Sequence, residues 1–156
     1  MTKTTYENFE LKLEFLLSDT ANSGIFYRVK EMADKPIWHN APEYQILDNE
    51  RYAEMGIDSF HFTAANYDLN PAETDHTNPI GQWNHAHIIV NNNHVEHRLN
   101  GNLVVAYDLE SPEWETLVAK SKFAEFPDFG RTKIGHLGLQ DHGHLVQFRN
   151  LKVRLL

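Results

Sequence analysis

The chain has 156 residues, 41% of them hydrophobic and 23% charged, with a formal charge of −8 at pH 7. That length suffices to bury a core as one domain. The acidity, with no cluster of Lys and Arg, argues against a nucleic-acid phosphate surface. Cysteine is absent, which excludes disulfides and thiolate metal sites, and no apolar run approaches the roughly 18 residues of a membrane span.

Phe9 to Leu17 alternates, with Phe9, Leu11, Leu13 and Phe15 on one face and Glu10, Lys12 and Glu14 on the other, so it reads as a half-buried strand. Asp19 to Gly24 reads as a turn, Ile25 to Val29 as a strand and Tyr44 to Leu47 as a short one. Residues 48 to 82 lack strong periodicity, with room for a short helix around Asn49 to Glu54. So long an irregular stretch is the usual mark of a functional loop. Three alternating runs follow, His85 to Val90, Val95 to Leu99 and Leu103 to Tyr107, separated by Asn91-Asn92-Asn93 and Asn100-Gly101. Asn-Gly between alternating runs signals a type I′ hairpin, so this is an antiparallel meander around which further sheet is expected to form.

Ser111 to Lys122 reads as the one convincing helix. Ser111 caps it, Pro112 suits its first turn, Glu113 and Glu115 favour its positive end, and Trp114, Leu117 and Val118 share one side. After a loop over Phe123 to Arg131, strands are expected at Lys133 to Gln140 and Leu145 to Leu155, around an Asp141-His142-Gly143 turn. Short strands separated by turn residues point to an all-β sandwich or barrel.

Three sets of residues could carry chemistry. Ten histidines invite a metal reading: His85 and His87 share a strand face, and His94, His97, His136, His142 and His144 add donors. Neither the HExxH helix nor the EF-hand pattern occurs, and surface or cross-strand histidines are the plainer reading. The second set is Glu43 to Asn49. Alternation places Glu43 and Gln45 on one face, and Asp48 joins them only if the strand ends or bulges there. Paired carboxylates beside an amide suit polar ligands, or glycoside hydrolysis at the right spacing; a solvated strand face with a turn-capping Asp accounts for the pattern equally simply. The third set is Arg28, Tyr67, Trp83, Asn84, Gln140 and His142: aromatic planes stack on sugar rings, while amides, Arg and His bond hydroxyls.

Several of these stretches resemble a known family. Asn22-Ser23-Gly24-Ile25-Phe26-Tyr27-Arg28, Glu43 to Asn49, Gly81-Gln82-Trp83-Asn84, Val95-Glu96-His97-Arg98-Leu99-Asn100-Gly101, Gly135 to Gly143 and Phe148 to Lys152 are similar, in order, to motifs of the 3-keto-disaccharide hydrolases. The resemblance implies a concanavalin A-like jelly roll of two antiparallel sheets with sugar bound on the concave side, as a single domain over 1–156. Two departures stand out. Arg98 occupies a position that is usually Trp, and the Gly- and Trp-containing strand that relatives carry before the equivalent of Phe9 is missing or abbreviated.

The activity implied is cleavage of a 3-keto-disaccharide or 3-keto-glycoside. The C3 ketone acidifies the C2 proton, a base removes it, the C1 substituent leaves and water adds. The base and acid are expected among Glu43, Asp48, His97 and His142. Arg28 or a bound divalent ion would polarise the ketone, and Gln45, Tyr67, Trp83, Asn84 and Gln140 would hold the sugar. The partner is then an oligosaccharide or glycoside, with no nucleic acid and no membrane insertion. The family implies a periplasmic or extracellular setting; MTKTTYENFELK carries no apolar signal-peptide core, so a cytoplasmic setting stays open. The competing reading is a non-catalytic, lectin-like carbohydrate-binding module, because this sandwich serves both.

Overall fold

The structure, a computed structural model, describes residues 1–156. Eight strands form two antiparallel sheets: β1 (Phe9–Leu17), β2 (Asn22–Val29), β3 (Glu43–Leu47), β4 (Trp83–Asn91), β5 (His94–Leu99), β6 (Asn102–Asp108), β7 (His136–Leu139) and β8 (Val146–Leu155). The larger sheet has the order β6-β5-β4-β1-β8 and the smaller β3-β2-β7. This is the expected concanavalin A-like sandwich. The meander β4-β5-β6 lies at one side of the larger sheet, which β1 and β8 extend. Its second hairpin turn has positive φ at both Asn100 and Gly101, as a type I′ turn demands.

Alternation in β1 buries Phe9, Leu11, Leu13, Phe15 and Leu17 against Ile25, Tyr27, Tyr44 and Ile46 of the smaller sheet. Two helices punctuate the strands. In α1 (Asn49–Glu54), Asp48 is the N-cap, and in α2 (Pro112–Lys120) Ser111 accepts the Trp114 amide at 3.1 Å. Most strand bounds differ from the sequence reading by a residue or two, and three differences stand out. β2 begins at Asn22, inside the expected turn, because residues 22–24 pair with β3. β7 is confined to His136–Leu139, and α2 stops at Lys120, before a second serine cap at Ser121. No helix is long and apolar enough to cross a membrane.

The smaller sheet has two strands fewer than the larger, so part of the inner face of β8 is uncovered. Leu151, Val153 and Leu155 stay exposed there, and a cavity of about 310 Å³ opens between β8 and β7. Residues 1–6 run beside β7, with Thr2 N donating to the Leu137 carbonyl and Tyr6 bridging Gly135.

Candidate active site

The outer face of the smaller sheet carries the polar residues. Across β2 and β3, Gly24 opposes Gln45 and Phe26 opposes Glu43, so Glu43, Gln45 and Asn22 share one side while Tyr44 and Ile46 enter the core. Residues 64–67 run antiparallel along the outer edge of β3. Ala64 N donates to the Gln45 carbonyl, Gln45 N to the Ala65 carbonyl, and Tyr67 N to the Glu43 carbonyl. On the other side, Gln140 is tied to β2: its N–H donates to the Gly24 carbonyl, and Ser23 Oγ donates to its carbonyl at 2.7 Å. A cavity of about 200 Å³ results, lined by Asn22, Trp38, Glu43, Gln45, Tyr67, Lys122, Phe123, Gln140 and His142.

Glu43 is its chemical centre. It is 7% exposed, and burial raises its carboxyl to about 8, opposed in part by the Lys122 ammonium. The carboxyl is therefore mostly protonated at neutral pH. Gln45 Nε2, with its amide turned to satisfy both neighbours, donates to Glu43 Oε1 at 3.2 Å and to the Ser23 carbonyl at 2.9 Å. Room for the carboxyl exists because residue 24 is glycine: a Cβ there would lie 2.8 Å from Glu43 Cδ and 3.0 Å from Cγ. Lys122 is set by the Ser121 cap, with its Nζ 4.1 Å from the Tyr67 ring centroid. Phe123 beside it begins a run of stacked rings, Phe129, Trp114 and Tyr107, that leads into the core.

Of the ten residues given catalytic or sugar-binding roles from sequence, the cavity brings together Glu43, Gln45, Tyr67, Gln140 and His142. The other five lie elsewhere. Arg28 sits at a β-bulge with φ of 53°, and its guanidinium donates to the Glu7 and Asn92 carbonyls. Asp48 caps α1 and accepts from Thr20 N at 2.9 Å. Trp83 lies under the Arg149 guanidinium at 3.8 Å, and Asn84 ties Asn78 N to Asn100 Nδ2. Arg98, at the position usually held by Trp, pairs with Glu96 on the outer face of the larger sheet. Asn22, Trp38, Lys122 and Phe123 escaped the sequence reading: none belongs to a periodic run of polar residues, and an aromatic within a proline-bounded loop was the only signal for Trp38.

His97 is fully buried between the sheets. The Ala64 carbonyl, 3.0 Å from Nδ1, can only accept, so Nδ1 carries the proton. Nε2 then accepts from the Tyr27 hydroxyl at 2.9 Å, and Tyr27 accepts from Tyr107. Desolvation lowers His97 from 6.5 to about 4. Between pH 6.5 and 4 the unfolded chain therefore binds a proton that the folded chain refuses, and stability falls as pH drops. Glu43 has the opposite sign: between 4.5 and 8 the folded chain holds the extra proton, and stability falls as pH rises. Thermal melting is expected to show a plateau between about pH 4.5 and 6.5 from these two groups, with losses on both sides. A Tm that rises steadily from pH 6.5 to 8.5 would contradict the assignment for Glu43.

The donor set does not suit a divalent ion. Where three histidine, aspartate or glutamate side chains gather, as Asp58 and Asp68 do around His61, they pair with one another across its ring, and no group of three or more is arranged to hold an ion. The cavity offers one carboxyl, one imidazole and neutral amides.

The site is thus a cavity of amides, aromatic rings and one buried acid on one face of a two-sheet sandwich. Residues 1–154 match the model of the 3-keto-α-glucoside-1,2-lyase-like domain, and the chain belongs to that family. It is 37% identical, over 97% of its length, to a Bacteroides thetaiotaomicron protein named 3-keto-disaccharide hydrolase, and spans 59% of that relative. It superposes with a TM-score of 0.92 and 33% identity on a Parabacteroides distasonis protein provisionally called a glycosyl hydrolase, covering 99% of this chain and 73% of that one. The carbohydrate-binding module CBM66 of Bacillus subtilis shares the fold, at a TM-score of 0.59 and 11% identity over 97% of this chain and 77% of the module.

Proposed function

We propose that the chain cleaves a glycoside whose ring carries a C3 ketone, by removing the C2 proton and expelling the C1 substituent. The observation that carries this reading is that Glu43 is the only carboxyl in the cavity. Ordinary glycoside hydrolysis needs two carboxyls flanking the bond, about 5–9.5 Å apart. A keto-glycoside needs one base, one acid and a group that stabilises the enolate oxygen. The names of the family and of the Bacteroides relative support the same chemistry.

In this scheme His142 takes the C2 proton and the electrons form an enolate at C3. The Lys122 ammonium faces that oxygen and stabilises its charge. As the ketone re-forms, a double bond forms between C1 and C2 and the C1–O bond breaks. Glu43, protonated at neutral pH, gives its proton to the departing oxygen. Water then adds: its hydroxyl joins C1, its other proton returns to Glu43, and His142 returns a proton to C2. Both groups end as they began. Gln45, Gln140 and Asn22 bond the ring hydroxyls, and Tyr67 and Phe123 pack on its apolar face.

Deuterium at C2 of the keto ring tests the first step. Cleavage by excess protein in a single turnover is expected to slow with the deuterated substrate or to lose the label to solvent, and equal rates with the deuterium fully retained at C2 of the product would place the reaction at C1 without proton removal. Lys122→Met is expected to lower kcat by about 10²-fold, the cost of losing one group that stabilises a developing oxyanion. An unchanged kcat would take Lys122 out of the mechanism.

A further inference from the structure

Trp38 lines the cavity, is partly exposed, and has no role in the ring chemistry. It lies in a short 3-10 turn, Ile37–His39, whose Ile37 packs on Phe26, Val29 and Ala41 and so fixes the turn to the sheet. The indole itself belongs to neither apolar cluster and is 37% exposed. It is nevertheless held in place. Phe126 meets it edge-on at 5.3 Å and His39 at 4.1 Å, and those two rings stack on each other at 4.2 Å. A tryptophan that stays partly exposed while two other rings hold it in place is a prepared aromatic surface rather than a packing residue.

The size of the cavity says what that surface receives. About 200 Å³ falls below the roughly 300–1,000 Å³ clefts that enclose ligands as large as a disaccharide. One ring fits among Glu43, Gln45, Gln140 and Tyr67, and the group attached at C1 must leave by the mouth. We infer that Trp38, braced by Phe126 and His39, is the platform for the leaving group, and that the chain prefers leaving groups presenting a flat ring face, whether a second hexose or an aryl group. The platform acts on binding and orientation and takes no proton. This inference rests on the keto-glycoside reading of the same cavity.

The test compares three α-linked 3-keto-glucosides whose leaving groups are methanol, glucose and 4-nitrophenol, with wild type, Trp38→Ala and Trp38→Phe. In Trp38→Ala, kcat/KM for a ring-bearing substrate divided by that for the methyl glycoside is expected to fall about tenfold, with most of the change in KM, and Trp38→Phe should recover much of it. A fall confined to the glucose or to the nitrophenyl substrate identifies which ring the platform takes. An equal fall for all three substrates, or none for either ring-bearing one, overturns the platform. Should wild type cleave none of them, the keto-glycoside reading fails, and calorimetric titration with maltose and methyl glucoside still decides the platform. A preference for maltose that Trp38→Ala abolishes supports it; no preference in wild type overturns it.

Discussion

Glu43→Gln is expected to lower kcat on a keto-glycoside by about 10²–10⁴-fold, the range for a lost general acid or base, while raising thermal stability at pH 8. The two effects share a cause. The carboxyl is held in a desolvated place on β3, where burial raises it to about 8. Ionisation there is costly, so stability is lost between pH 4.5 and 8, and the neutral amide of Gln removes that loss. The same amide cannot give a proton to a departing oxygen. For wild type, kcat/KM is expected to decline as pH rises through about 8, the value for the free protein. Melting curves at pH 6 and 8 for both proteins, with rates at pH 7, check the pair. A variant that is less stable at pH 8 than wild type, or that keeps its turnover, would contradict this account of the residue.

Gly24→Ala is the second large effect. The added methyl falls on the carboxyl of Glu43, close to its Oε1 and 2.8 Å from Cδ. Neither strand can yield freely, since Gly24 opposes Gln45 in register and its carbonyl accepts from Gln140. The side chain of Glu43 must therefore turn out of its place. A displacement of about 1 Å in a catalytic group costs on the order of 10²-fold in rate, and overpacking costs about 1–3 kcal/mol in stability. Gly24→Ala should thus lose both activity and Tm, whereas Glu43→Gln loses activity alone. Combining the two gives a further check: with Glu43 also replaced by Ala, the methyl finds space, and the stability loss from Gly24→Ala should shrink. An undiminished loss would trace it to the strand backbone instead.

β1, β4 and β5 were legible because each buries alternate residues against the core, whereas β2 and β3 are buried on both faces and show no such alternation. Period-two alternation gave β1 its bounds, and Asn100-Gly101 gave the hairpin, since few other pairs accept positive φ at both positions. The short helix at Asn49–Glu54 was visible as a gap in that alternation. Half of the ten residues given catalytic or sugar-binding roles meet in the cavity, and these are the ones whose strand parity or turn position sets them on the outer face of the smaller sheet, such as Glu43 and Gln45. Parity could not locate His97. It says which residues share a face of one strand, but not that this face of β5 looks into the core, where Tyr27 and the Ala64 carbonyl satisfy the ring. Trp38, Lys122 and Phe123 reach the cavity from loops, by way of the Ser121 cap and the packing of Ile37. Those placements are tertiary, and no local pattern encodes them.

Release of the leaving sugar from a 3-keto-disaccharide and from its unoxidised parent, under identical conditions, tests the central claim most directly. One buried carboxyl opposite a lysine is expected to cleave the keto substrate and leave the parent intact, because only the ketone makes the C2 proton removable. Cleavage of the parent at a similar rate would mean that the ketone plays no part. Release from neither substrate, with both binding in the cavity, would make this chain a sugar-binding module and contradict the reaction outright.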